Sequence, residues 1–280
     1  MKVLILGGTG FFGKQLADYW PDAVIASRHK PESNHLYVKI DRTQASSLSV
    51  LAEQKWDIIY DQICFNAHDA KISTEMFSQR CGHYIMTSTM GVYGSVCSNA
   101  IEYDFSAENH TISDEIDYAT GKRDAEHILS QSTIKNARVR FPVVLGKADP
   151  THRFNHFIHQ VLKGSAPIKQ NKISIISSDC AANTLYEIGL NSREGAFNAC
   201  SEGDLTARQI IEYLKDNRHI DIPEFMNAEP DIKSLFNRPG EWTIDNSKLK
   251  DIGINFDKTA DWINNLIDFA VSNAPKTTSA

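Results

Sequence analysis

The 280-residue chain carries 29 Lys and Arg against 35 Asp and Glu, a formal net charge of −6, with 23% charged and 41% hydrophobic residues. That balance, with no long Lys/Arg run, excludes a general binder of nucleic-acid backbones, and no stretch is long and apolar enough to span a bilayer. The five cysteines, Cys64, Cys81, Cys97, Cys180 and Cys200, contain no C-x-x-C, so neither a disulfide framework nor a zinc site is suggested.

In chain order, "KVLIL" (2–6) reads as a strand and 11–20 as a helix. "AVIAS" (23–27) and "LYVKI" (36–40) read as strands, 46–54 as a helix, "DIIYDQIC" (57–64) as a strand and 68–80 as a helix. "HYIMTS" (83–88), a helix over 117–132 and "ARVRF" (137–141) complete the series. Mostly unbroken apolar runs alternating with amphipathic helices mark βαβ units and a parallel sheet covered on both faces. After Gly146 the pattern loosens, with helices at 152–163, 206–217 and 258–273 around short strands near 173–177 and 196–199. The expected division is a nucleotide-binding domain over 1–148, rejoined by about 173–200, and a smaller mixed α/β lobe over 149–280. "VLILGG" turns into glycines after four apolar residues and is no secretory h-region, so a reduced, cytoplasmic setting is the default expectation. The polar end "SNAPKTTSA" reads as a loose tail.

"ILGGTGFFGKQL" (5–16) spans the end of the first strand and the start of the first helix, with Gly7, Gly10 and Gly13 in a G-x-x-G-x-x-G pattern. The first glycine permits a tight turn, the second lets the backbone approach a pyrophosphate, and the third lets helix and strand pack closely. The helix N-terminus behind them offers unpaired N–H groups to an anion. Phe11 and Phe12 read as packing under that loop. An acid about 20 residues past the first glycine would select NAD, but that position holds Ser27, followed by Arg28, His29 and Lys30. NADP(H) is favoured, with NAD(H) the alternative.

Tyr118 stands four residues before Lys122, which on a helix puts phenol and ammonium on one face. A phenol that ionises near pH ~10 becomes a usable base only if a neighbouring cation favours the phenolate.

With the glycine loop at the start and this pair beyond the midpoint, the chain resembles the extended short-chain dehydrogenase/reductase superfamily, in its NAD-dependent epimerase/dehydratase branch. "TSTMGVYG" (87–94), "YVKIDRT" (37–43), "RFPVVLGKAD" (140–149), Asp179 in "IISSDCA", and "NRPGEW" (237–242) followed by "DNSKLKDIGINF" (245–256) are similar to that family's further segments, in the same order. The resemblance implies a Rossmann-type doubly wound parallel sheet with a smaller C-terminal substrate lobe. It implies that Tyr118 exchanges a proton with a substrate oxygen while hydride passes to or from the nicotinamide. Lys122 would lower the tyrosine's pKa and bind the nicotinamide ribose, and Thr89 would hold the substrate oxygen. Cofactor contacts would also come from Thr9, Phe11, Phe12, Asp41 beside the adenine, and Gln62, Ile63 and Cys64 at the end of the fourth strand.

Dehydratases of the branch usually carry Asp-Glu after the catalytic threonine. Met90 and Gly91 stand there, so epimerisation or simple redox at a hydroxyl or carbonyl carbon is expected. Val143 and Lys172 replace an asparagine and an arginine common in nucleotide-sugar enzymes, whereas Arg238 matches the diphosphate-binding arginine. Arg153 is a second candidate anion contact. The expected partner is a sugar-like small molecule or nucleotide sugar, with no nucleic acid or membrane, and a homodimer is the family expectation. His152, His156 and His159 fall along one helical face, but no Asp or Cys joins them and no metal is expected. The competing function is a non-catalytic NAD(P)-sensing or RNA-associated protein on the same fold; the intact pair and the acidic charge count against it.

Overall fold

The computed structural model describes residues 1–114, 117–166, 171–222, 235–236 and 238–274. The chain opens with β1 (Val3–Leu6), α1 (Phe11–Asp18), β2 (Val24–Ser27), β3 (Leu36–Lys39) and the single turn α2 (Ala45–Leu48), which tightens into a 3-10 turn over Ser49–Glu53. There follow β4 (Trp56–Asp61), α3 (Ala67–Phe77), β5 (Cys81–Thr89), a 3-10 turn at Met90–Tyr93, β6 (Cys97–Ala100), α4 (Tyr118–Ser130), β7 (Asn136–Phe141) and β8 (Val143–Leu145). The rest comprises α5 (Arg153–Leu162), β9 (Ile175–Ser177), α6 (Ser178–Leu190), β10 (Gly195–Asn198), α7 (Ala207–Glu212), β11 (Trp242–Ile244), α8 (Ser247–Asp251) and α9 (Thr259–Ser272).

Seven parallel strands form one sheet in the order β10-β7-β5-β4-β1-β2-β3. This is a doubly wound, Rossmann-type α/β fold. The order reverses between β1 and β4, and the crevice beyond their carboxyl ends is where such sheets bind ligands. Both faces are covered, which explains the unbroken apolar strands. Val3 and Ile5 of β1 pack with Leu16 of α1 and Ile188 of α6, while Leu4 and Leu6 face the other core with Phe77 of α3 and Leu129 of α4.

A third core, with Phe154, Phe157, Phe236, Leu205 and Ile267, fills the remaining lobe. Two small parallel pairs, β6 with β11 and β8 with β9, join that lobe to the end of the main sheet. The chain leaves the sheet after β7 and returns to it, because α6 packs on α1 and β10 pairs with β7.

Sequence periodicity gives no helix over 178–190, although Ser177 caps it there by accepting from the Cys180 N–H at 3.1 Å. The expected helix over 46–54 is mostly 3-10, and that over 206–217 ends in a π-turn. Of the expected tail, residues 275–280 lie outside the described residues. Among the described residues no helix is long and apolar enough to cross a membrane.

Candidate active site

The glycine loop joins β1 to α1 at the switch point. Gly7 has φ +84°, a left-handed conformation suited to glycine, and its carbonyl accepts the Gly10 N–H at 2.9 Å. A Cβ at Gly13 would stand 2.8 Å from the Gly7 carbonyl and 2.9 Å from Gln62 Oε1, so helix, loop and the segment after β4 are packed to contact. No side chain caps α1 at Gly10, which leaves its first N–H groups facing the crevice.

At the far end, Ser27 is buried and its hydroxyl donates to the His29 carbonyl at 2.6 Å, while Arg28 is exposed. Asp41 accepts from the Thr43 N–H at 3.0 Å and from its hydroxyl at 2.8 Å. Those bonds hold its carboxyl below the usual range, and the positive charge of Arg28 adds to this. Ile63 and Cys64 follow Gln62 beneath the loop, and Thr9 lies within the loop itself.

Helix α4 starts on a strong cap. Asp117 accepts from the N–H groups of Ala119 and Thr120 at 2.7 and 3.1 Å and from the Thr120 hydroxyl at 2.5 Å. One turn in, a Cβ on Gly121 would fall 2.5 Å from the Phe65 carbonyl, so only glycine lets the helix lie this close to the 62–66 turn. That approach buries Lys122 to 1% exposure and sets its ammonium against the carbonyls of Cys64 (2.7 Å) and Thr87 (2.6 Å). Phe65 covers the ammonium at 4.9 Å from its ring centre.

Tyr118, 57% exposed, and the Thr89 side chain, 8% exposed, line the same wall of the cleft. The structure therefore places the two side chains together, with Lys122 behind them. The phenol is pushed above its ordinary value, first by withdrawal from water, against the Thr89 hydroxyl and the charge of Arg153. The Lys122 nitrogen lies 5.8 Å from the tyrosine ring centre and is held by the Cys64 and Thr87 carbonyls. Burial pulls the lysine's own pKa down.

The cleft between the sheet and the second lobe has a volume of about 1000 Å³ and is lined by Phe11, Phe12, Thr89, Tyr118, Arg153 and Arg238, among others. Arg238 lies over the Trp242 ring at 3.3 Å, and burial, with Arg153 nearby, lowers its pKa. Arg153 donates to the Thr151 hydroxyl at 3.0 Å and lies 3.5 Å from Asp149. Arg123 also lines the cleft, donating to the Val92 carbonyl at 2.8 Å, a role no local pattern announces. Asp179 sits away from the tyrosine, accepting from Gln15 at 2.5 Å. His152 precedes α5 in a left-handed conformation instead of sharing its face, and no group of three metal-ligating side chains occurs among the described residues.

No protein-family model matches the sequence, and no curated protein sequence matches it. Solved structures do match. A UDP-glucose 4-epimerase from Thermus thermophilus, solved with NAD, superimposes with a TM-score of 0.74 at 18% identity, covering 98% of this chain and 100% of that one. A dTDP-glucose 4,6-dehydratase from Bacillus anthracis, also with NAD, gives 0.75 at 13% identity over 98% and 97%. A UDP-glucuronic acid 4-epimerase from Bacillus cereus, with UDP-glucuronic acid and NAD, gives 0.74 at 18% over 97% and 99%. At these identities the likeness establishes the fold.

Proposed function

We propose that the protein is an NAD(P)-dependent oxidoreductase or epimerase of the epimerase/dehydratase branch of the short-chain dehydrogenases, acting at a hydroxyl or carbonyl carbon of a small anionic, sugar-like substrate. The observation that carries this reading is that Thr89 and Tyr118 share one wall of the cleft, with a buried lysine held by two carbonyls one helical turn behind the phenol. The solved epimerases and dehydratases of the same fold, which bind NAD and in one case UDP-glucuronic acid, support it.

The residues fit a dinucleotide. The loop that a Cβ at Gly13 would fill, and the uncapped start of α1, suit a pyrophosphate. Lys122 would hold the ribose nearest the tyrosine, and Arg28 a 2′-phosphate, so NADP(H) is the favoured form. A bound nicotinamide supplies the two-electron acceptor or donor. Tyr118 would take the proton from the substrate hydroxyl or return it to the carbonyl, and Thr89 would keep that oxygen in line. Arg238 and Arg153 would hold an anionic group at the other end of the cleft.

Elimination of water needs a free acid and base beside the tyrosine. Asp117 is the acidic side chain in the described cleft lining, and it is spent on capping α4. Redox or epimerisation is therefore favoured over dehydration. The test is a screen of purified protein against activated sugars with NADPH and NADH, preceded by thermal shift with each cofactor. Stabilisation by a cofactor and turnover of a sugar are expected; binding of neither cofactor would contradict the reading.

A further inference from the structure

The geometry points to Arg42 as a positioning residue for Lys122, acting through the turn whose carbonyl holds the ammonium; this rests on the functional reading above. The Cys64 carbonyl accepts from Lys122 at 2.7 Å, and the N–H groups on either side of that residue are both pinned by carboxylates. The Ile63 N–H donates to Asp61 Oδ1 at 3.0 Å and the Phe65 N–H to Asp69 Oδ2 at 2.8 Å. Asp61 ends β4 and Asp69 lies in the first turn of α3, so the 62–66 turn is clamped from a strand and from a helix.

Arg42 ties the two clamps together. Its Nη2 donates to Asp61 Oδ2 at 2.8 Å, to the Asp69 carbonyl at 2.8 Å and to Ser73 Oγ at 2.9 Å, and its Nε lies 3.9 Å from Asp69 Oδ1. Tyr84 donates to the same Asp61 oxygen. The arginine is 6% exposed, yet its Nε and Nη1 make no hydrogen bond. Two of its three nitrogens repay none of their desolvation through a hydrogen bond, so its hold rests on Nη2 and on the charges of Asp61 and Asp69. What its placement does secure is the separation of Asp61 from Asp69, and with it the direction of the Cys64 carbonyl. Arg42 also follows Asp41 directly, so the strut runs from the expected adenine end of the crevice to the lysine.

The test compares equilibrium binding of NADPH with that of adenosine 2′-phosphate 5′-diphosphate, and of NADH with ADP, because these fragments lack only the nicotinamide riboside. The ratio of cofactor to fragment affinity then reports the lysine's end alone. Lys122→Met is expected to lower the ratio about tenfold, the size of one lost hydrogen bond to a charged group. The double variant Arg42→Met/Asp61→Asn removes the charge pair with Asp61 and leaves the Asp69 carboxylate accepting from the Phe65 N–H, and it is expected to lower the ratio by a similar factor. Arg42→Lys, which keeps the charge but cannot span both clamps as well, is expected to show a smaller fall, and it decides the matter if the double variant does not fold. An unchanged ratio in the Arg42 variants beside a tenfold fall in Lys122→Met overturns the positioning role and leaves the functional reading standing. An unchanged ratio in Lys122→Met, or a wild type that binds neither cofactor, overturns both.

Discussion

The guanidinium of Arg238 lies 3.3 Å from the centre of the Trp242 ring, and the indole N–H donates to the Gly94 carbonyl at 3.1 Å. The indole is thus fixed by the loop that follows the Thr89 strand, and the arginine packs over its face in the cleft lining. An arginine that grips substrate away from the reacting carbon contributes equally to ground and transition states. Arg238→Ala is therefore expected to raise KM by about tenfold to a hundredfold with little change in kcat. Steady-state kinetics on whichever sugar is turned over checks this, and a fall confined to kcat would move Arg238 to the reacting centre.

Gly13→Ala tests the cofactor cradle. The added methyl would meet the Gly7 carbonyl at 2.8 Å, a backbone atom that cannot swing aside. Widening the loop should weaken NADPH and NADH alike by tenfold or more, on the order of 1.4 kcal/mol. Calorimetric titration of both cofactors would show it.

The proposed acid/base role of Tyr118 carries an expected pH dependence. Its phenol is raised from the ordinary value of 10.0, so in the free protein the proton stays on until the pH exceeds that value. The phenolate absorbance difference between wild type and Tyr118→Phe should be absent at neutral pH without cofactor. It should move to lower pH with NADP⁺, whose ring adds positive charge beside the phenol. A phenolate signal near neutrality in the free protein would contradict the assigned cause.

Arg28 is exposed beside the buried Ser27 at the end of β2. Arg28→Asp is expected to shift the NADPH to NADH affinity ratio toward NADH by about tenfold or more, since a carboxylate repels a 2′-phosphate and accepts from a ribose hydroxyl. Paired titrations measure the ratio, and an unchanged value would remove Arg28 from cofactor selection.

The central strands of the main sheet were legible because they are buried on both faces and read as apolar runs, as Val3–Leu6 does. The Tyr118/Lys122 spacing and the glycine loop are local patterns and were equally readable. What escaped depends on partners distant in sequence. The strand Cys97–Ala100 is mostly polar and half exposed, and it pairs with Trp242 and Ile244 from the far end of the chain. Nothing in the local sequence marks Arg42, because Asp61, Asp69 and Ser73 converge on it only after folding. Asp117, by contrast, stood in the sequence as a helix cap before Tyr118 and could have been read as one.

The most direct measurement is turnover by Tyr118→Phe together with its affinity for NADPH. Loss of nearly all activity is expected, about a thousandfold or more as for removal of an acid/base group, with cofactor affinity within about twofold of wild type. Full activity in that variant would show that the phenol does not move the proton, and the enzyme reading would fail with it.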